Sequence, residues 1–262
     1  MKNRPAIVMI HGLLGSLEYF SPASFLPDID VYTPRLLGYG GFDHQDSIEN
    51  LSLQNQVDFV KQMVIEEIQR PCWLLGHSVG GAIAMMFAAQ NPELVVGMIN
   101  VEGNFTLNDA FWCQKISQLS AEIWQQDYEH IRNGPEKWLL ENGVTPTQKR
   151  TAWAKEILDF QPAATAQAVA KAVICETASP EYQQTIQTVA AQQKPLYLLA
   201  GERSKDKWDI PRPILKAAKQ VIVQSRVGHL MMLEEPREFC DLLNLLWRLD
   251  EIEGSCPLGQ NV

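Results

Sequence analysis

The segment Gly76-His77-Ser78-Val79-Gly80 joins two apolar runs of different kinds. Before it, Cys72–Leu75 (CWLL) is short and continuous, which predicts a strand buried on both faces. After it, Gly80–Gln90 (GGAIAMMFAAQ) is long and almost wholly apolar, which predicts a buried helix that Asn91-Pro92 stops. A serine between them needs a tight, strained strand-to-helix turn. Glycine on both sides permits it, because larger neighbours would run into the helix or the next strand. The start of the helix also favours negative charge developing beside that serine. G-x-S-x-G arises often by chance; the strand before it and the helix after it are what give it meaning here.

The other runs repeat the strand-then-helix pattern. Ala6–Ile10 (AIVMI) reads as a buried strand ending at His11-Gly12, and Asp30–Pro34 (DVYTP) as a second, followed by the turn Gly38-Tyr39-Gly40-Gly41. Leu51–Gln69 carries Val57, Val60, Val64 and Ile68 at helical spacing. Val95–Val101 (VVGMINV), Pro195–Ala200 (PLYLLA) and Val221–Gln224 (VIVQ) read as further strands. Helices are expected near Pro213–Lys219 and from Pro236 to Leu249. From Asn104 to Pro180 the strand pattern is missing and helical stretches hold Trp112, Trp124, Trp138 and Trp153. The expected fold is α/β: a mostly parallel sheet of about six strands with helices on both faces and an all-α cap insertion. The core is expected over 1–103 and 181–250, the cap over 104–180, and a fraying polar tail over 251–262. No internal repeat is visible.

Composition narrows the function. The net charge of -9, with no Lys/Arg cluster, speaks against nucleic acid and anionic lipid as partners. The N-terminal apolar run is too short for a signal peptide and passes directly into His11-Gly12, and no run is long enough to span a bilayer. The five cysteines (Cys72, Cys113, Cys175, Cys240, Cys256) show no metal-ligand spacing, so free thiols in a reducing cytoplasm are expected, with Cys72 and Cys240 as small buried hydrophobes. No metal or organic cofactor is implied.

Ligands of such sheets sit beyond the carboxyl ends of the strands. His11-Gly12, His77-Ser78, Glu102-Gly103 and Gly228-His229 all fall at run ends and are expected to cluster. Ser78 is the candidate nucleophile. A serine hydroxyl needs a base near neutral pH, and imidazole titrates in that range. Among the five histidines, His77 is held in the turn, His11 lies on the first loop, and His44 and His130 lie in polar segments. His229, late in the chain, is the candidate base. The backbone N–H groups of Leu13, in His11-Gly12-Leu13-Leu14-Gly15, and of Val79 are the candidate oxyanion hole. The acid stays open. Glu102 ends a buried strand at the catalytic edge, where an ionisable residue needs a reason. Asp206, or the neighbouring Glu202, is the alternative.

Taken in order, HGLLGS, GHSVGG, VEGN, AGERS and VGHL resemble the α/β-hydrolase superfamily over the whole chain apart from the cap and tail. The resemblance implies an Asp after the penultimate strand, where this chain has Ser204. Some members, haloalkane dehalogenases among them, carry the acid after the strand where Glu102 lies. Those enzymes and the epoxide hydrolases use an Asp nucleophile, so Ser78 separates this chain from both. Against the fuller fold of the superfamily, this sequence opens directly on the oxyanion-loop strand, so the sheet is expected without the N-terminal β-hairpin and with about six strands. The expected chemistry is cleavage of a carboxylic ester, lactone or thioester through an acyl-enzyme, on a small-molecule, apolar acyl substrate whose chain length the sequence leaves open. The alternatives are a cofactor-free C–C hydrolase or lyase, including a menaquinone-pathway step, and a non-catalytic binding member.

Overall fold

The computed structural model describes residues 4–40 and 51–255. Gly41, His44, Cys256 and residues 256–262 of the expected tail lie outside them. In chain order the elements are β1 (Ala6–Ile10), β2 (Asp30–Tyr32), α1 (Leu53–Met63), β3 (Cys72–His77), α2 (Val79–Gln90) and β4 (Val95–Val101). An inserted series follows: α3 (Phe111–Ser117), α4 (Ala121–Asn133), α5 (Pro135–Glu141), α6 (Gln148–Asp159) and α7 (Ala163–Thr177). The chain then forms α8 (Pro180–Ala191), β5 (Leu196–Gly201), α9 (Arg212–Ala217), β6 (Gln220–Gln224), α10 (Met231–Glu234) and α11 (Pro236–Ser255).

The six strands form one parallel sheet in the order β2-β1-β3-β4-β5-β6. Side chains alternate between faces along each strand. Val8, Ile10, Leu74, Met98, Leu198 and Ala200 share one core with α1, α2 and α8. Ile7, Met9, Trp73, Leu75, Ile99 and Leu199 share the other with α11. Every residue of β1 and β3 is buried, as continuous apolar runs covered on both faces must be. The edge strand β6 is barer: Val221 and Val223 are 47% and 42% exposed.

The inserted helices join both cores. Trp124 and Tyr128 pack into the first, and Trp138, Leu139, Ile157 and Leu158 into the second. Buried polar tips find backbone acceptors: Trp124 Nε1–H donates to Ala163 O at 2.7 Å and Tyr128 OH to Leu158 O at 2.9 Å.

Several boundaries differ from the sequence reading. β2 stops at Tyr32, before Pro34, whose missing N–H suits a strand end. The helix expected over Leu51–Gln69 starts where the Ser52 hydroxyl accepts the Asn55 N–H at 3.0 Å, and closes in a π turn over Val64–Ile68. The final helix runs to Ser255, so residues 251–255 are helical where the sequence reading placed the start of a fraying tail. α8 has no counterpart among the helices that the sequence pattern predicts. Its signal, Tyr182, Ile186 and Val189 at helical spacing, is diluted by a Gln-rich stretch.

Candidate active site

The carboxyl ends of β1, β3, β4 and β5 and the loop after β6 converge on one cavity of about 480 Å³. Gly12, Leu13, Ser78, Glu102 and His229 all line it.

Ser78 sits between β3 and α2 at φ 54, ψ -122, a conformation costly for a residue with a side chain. The flanking glycines are required by close packing. A Cβ on Gly76 would lie 2.4 Å from Gly80 O, and one on Gly80 would lie 2.2 Å from Ile10 O, both rigid backbone. Ser78 N–H donates to Val101 O at 3.1 Å, and Ser78 O accepts from Gly81 N at 2.9 Å and Asn104 N at 3.0 Å. The turn is thus fixed by α2 and by the exit of β4. Val79 opens α2, where an N–H has no partner within the helix. Leu13 stands on the loop after β1, whose carbonyl accepts from Tyr39 OH at 2.8 Å.

Two neighbouring histidines hold this edge together. A carbonyl only accepts, so His11 carries its proton on Nδ1, donating to Gly12 O at 2.8 Å, while its Nε2 accepts from Leu36 N at 3.4 Å. His77 Nε2–H donates to His229 O at 3.0 Å. Burial lowers the His11 pKa to about 4 and that of His77 to about 3, so both rings are neutral at physiological pH.

The acid position is where tertiary structure adds most. Glu102 follows β4 at φ 41 with its side chain 5% exposed. Its Oε2 accepts from His229 Nδ1 at 2.7 Å. Its Oε1 accepts from Gly201 N at 2.8 Å and from Ser204 Oγ at 2.6 Å. Burial alone pushes the carboxyl up, but the donors on His229, Ser204 and Gly201 outweigh it and hold Glu102 below its ordinary value. With Nδ1 donating, the remaining nitrogen of His229 is free to accept. The imidazole is 43% exposed and lines the same cavity as Ser78. Asp206 lies elsewhere: it is 87% exposed, pairs with Lys205 at 2.7 Å and does not line the cavity. Glu202 accepts from Arg226 N at 2.7 Å.

The cavity wall also includes Trp112, Trp138 and Trp208. Trp124 and Trp153 do not line it, and Trp153 lies beside Tyr19 and under Lys149. Trp208, which the sequence reading passed over, donates Nε1–H to Gly103 O at 2.9 Å and stacks on Phe105. A second carboxyl, Asp109, faces the cavity from the turn before α3. Burial raises its pKa from 3.8 to about 6, against the N–H donors of Phe105 and Thr106 and the Asn104 side chain. A raised value means that the contribution of Asp109 to stability is complete below about pH 4 and is lost as pH rises through about 6. The shift corresponds to about 3 kcal/mol. Urea unfolding from pH 4 to pH 7 is expected to show wild type losing stability relative to Asp109→Asn; parallel curves would contradict this. Among the described residues, no group of three or more His, Cys, Asp or Glu is placed to hold a metal ion. No described helix is long and apolar enough to cross a membrane.

This geometry is that of an α/β hydrolase, and comparison with known proteins agrees. The sequence profile of the alpha/beta hydrolase family matches residues 7–242, and the chain belongs to that family. It is similar to the mouse sn-1-specific diacylglycerol lipase ABHD11, 31% identical over 100 residues, covering 37% of this chain and 32% of that protein. It is also similar to the 2-succinyl-6-hydroxy-2,4-cyclohexadiene-1-carboxylate synthase of Enterobacter sp. (strain 638), 31% identical over 136 residues, covering 50% of this chain and 48% of that protein. The matched stretches thus span less than half of each relative. A solved carboxylesterase structure from Nitrososphaera gargenis superposes with TM-score 0.71 at 15% identity, covering 96% of this chain and 92% of that one; at such identity the likeness is one of fold.

Proposed function

We propose that this chain is a serine hydrolase that cleaves a carboxylic ester, lactone or thioester, with Ser78 as nucleophile, His229 as base and Glu102 as acid. The observation that carries this reading is the 2.7 Å hydrogen bond from His229 Nδ1 to the buried Glu102 carboxylate, in the same cavity as Ser78. His229 Nε2 takes the Ser78 proton as Oγ attacks the carbonyl carbon. The N–H groups of Leu13 and Val79 hold the oxyanion. The imidazolium, stabilised by Glu102, then protonates the leaving group, and water activated by His229 releases the acid and restores Ser78. No metal or organic cofactor enters the scheme.

The inserted helices act as a cap in this reading, with apolar walls from Leu13, Leu14, Trp112, Trp138, Trp208 and Leu230. A cavity of about 480 Å³ fits a small to medium acyl substrate. The free thiols Cys72, Cys113, Cys175 and Cys240 fit a reducing, cytoplasmic setting. The test is a series of p-nitrophenyl esters of graded acyl length, with lactone and thioester substrates alongside. Turnover of none of them above the buffer rate sinks the ester reading. Trp112→Ala and Trp138→Ala are expected to shift acyl-length preference by about tenfold, in line with the value of about one methylene in an apolar pocket. Trp124→Ala is expected to leave preference unchanged and to lower stability by about 3 kcal/mol. If all three variants change stability alone, the pocket is lined otherwise.

The similarity to the synthase supports a second reading, a cofactor-free C–C hydrolase or lyase using the same residues. Turnover of carbon–carbon substrates in the absence of esterase activity is the result that favours it.

A further inference from the structure

The base sits in a loop, residues 225–230 between β6 and α10, that has no regular structure to hold it. Arg226 in that loop has φ 66, a strained setting for a residue with a side chain. Each residue from 226 to 229 is nonetheless tied down from outside. Arg226 O accepts from Arg203 Nη1. Val227 O accepts from Arg203 N at 3.0 Å. Gly228 N–H donates to Glu234 Oε1 at 2.7 Å, and His229 O accepts from His77 at 3.0 Å.

Two of these four anchors come from the side chains of one ion pair; the bond from Arg203 N to Val227 O is a backbone bond, and Arg226 N–H also donates to Glu202 Oε2 at 2.7 Å. Arg203 Nη2 donates to both oxygens of Glu234, at 2.9 and 2.7 Å. The Glu234 side chain is 8% exposed, and a carboxylate so deeply buried requires a cation and oriented donors. The same Nη2 donates at 2.9 Å to Gly143 O, in the turn after α5 of the inserted helices. Arg150 of α6 reaches Glu234 O at 2.6 Å. The guanidinium fork therefore meets the base loop, the buried carboxylate and the inserted helices at once. A lysine ammonium could keep the ion pair but not that planar set of bonds.

We infer that Arg203 and Glu234 are positioning residues for His229: their ion pair sets the base loop against the exit of β5 and links its placement to the seating of the inserted helices. The inference rests on His229 being the base. It makes no claim that either residue touches the reacting atoms.

The experiment compares Arg203→Ala, Arg203→Lys and Glu234→Gln with wild type in kcat, KM, thermal midpoint and labelling of Ser78 by a fluorophosphonate. Displacing a catalytic group by about an ångström costs about 100-fold in rate. Arg203→Ala is expected to lose about that in kcat and in labelling rate, with KM within about twofold. Low-millimolar guanidinium is expected to restore part of the Arg203→Ala activity and to leave wild type unchanged, which a merely structural role does not predict. Arg203→Lys is expected to lose about tenfold in kcat while keeping its thermal midpoint. Glu234→Gln, which keeps an acceptor for Gly228 N–H, is expected to lose less than Arg203→Ala.

A lowered thermal midpoint with kcat close to wild type overturns the inference, as does an effect confined to KM, which would make Arg203 a substrate contact. If Arg203→Ala does not fold, Arg203→Lys decides, and an unchanged kcat there overturns the inference. Failure of the hydrolase reading looks different: wild type itself then resists labelling at Ser78.

Discussion

Ser78→Ala is expected to lower kcat on the best ester by about 10⁶-fold while the protein stays folded. In the proposed mechanism three pieces of chemistry go with the hydroxyl: the nucleophile, the proton His229 removes, and the acyl-enzyme that divides one hard step into two. Little stability should go with it. The contacts that fix the turn are backbone bonds from Ser78 N to Val101 O and from Gly81 N and Asn104 N to Ser78 O, and alanine keeps them all. The φ of 54 is no worse for alanine than for serine. The thermal midpoint is therefore expected to move by no more than about 4 °C, the equivalent of about 1 kcal/mol or less. A fluorophosphonate should add its mass to the peptide containing Ser78 in wild type and to no peptide in the variant. Labelling of another serine, or turnover persisting in Ser78→Ala, ends the serine-hydrolase reading.

Glu102→Gln is expected to cost about 10⁴-fold in kcat, whereas Asp206→Asn stays within about twofold of wild type. The size of the Glu102 effect follows from its three donors. Gly201 N–H and Ser204 Oγ–H both point at Oε1 and require an acceptor there. A glutamine satisfies them only by turning its carbonyl toward them, which places its NH₂ against His229 Nδ1. Two donors cannot face each other, so the imidazole must move its proton to Nε2, the nitrogen that accepts from Ser78 in the proposed mechanism. The base is then in the wrong tautomer, and the carboxylate that stabilised the imidazolium is gone as well. Asp206 has no such geometry, being 87% exposed and paired with Lys205. A large loss in Asp206→Asn with a mild Glu102→Gln would move the acid to the later loop and leave Glu102 as an anchor for that loop.

Much of this site could be read from the chain because its determinants are local. Cys72–Leu75, GHSVGG and the apolar stretch to Gln90 specify a strand, a sharp turn and a buried helix through short-range sterics and burial. The continuous apolar runs likewise specify the parallel strands covered on both faces, while the short, half-buried β2 and the barer β6 form the two edges of the six-stranded sheet. Boundaries were less legible. That of β2 depends on a proline, α11 runs on to Ser255 through a polar stretch with no apolar periodicity to announce it, and α8 is hidden by its glutamines.

What the sequence determined by itself was thus the fold class and the short candidate list Ser78, His229, Glu102 or Asp206, with Leu13 and Val79. Tertiary structure decided which carboxylate meets His229, because that contact joins residues 127 apart and depends on how β4 and β5 end side by side. It also decided the place of Ser204, whose hydroxyl, standing where the family pattern has Asp, donates to Glu102 instead of replacing it. The same holds for the tryptophans: Trp112 and Trp138 line the cavity, Trp138 while also packed in the second core, and Trp124 packs in the first core away from it. No local pattern encodes these outcomes. They are fixed only when distant segments are brought within hydrogen-bond reach and the donors of one meet the acceptors of another.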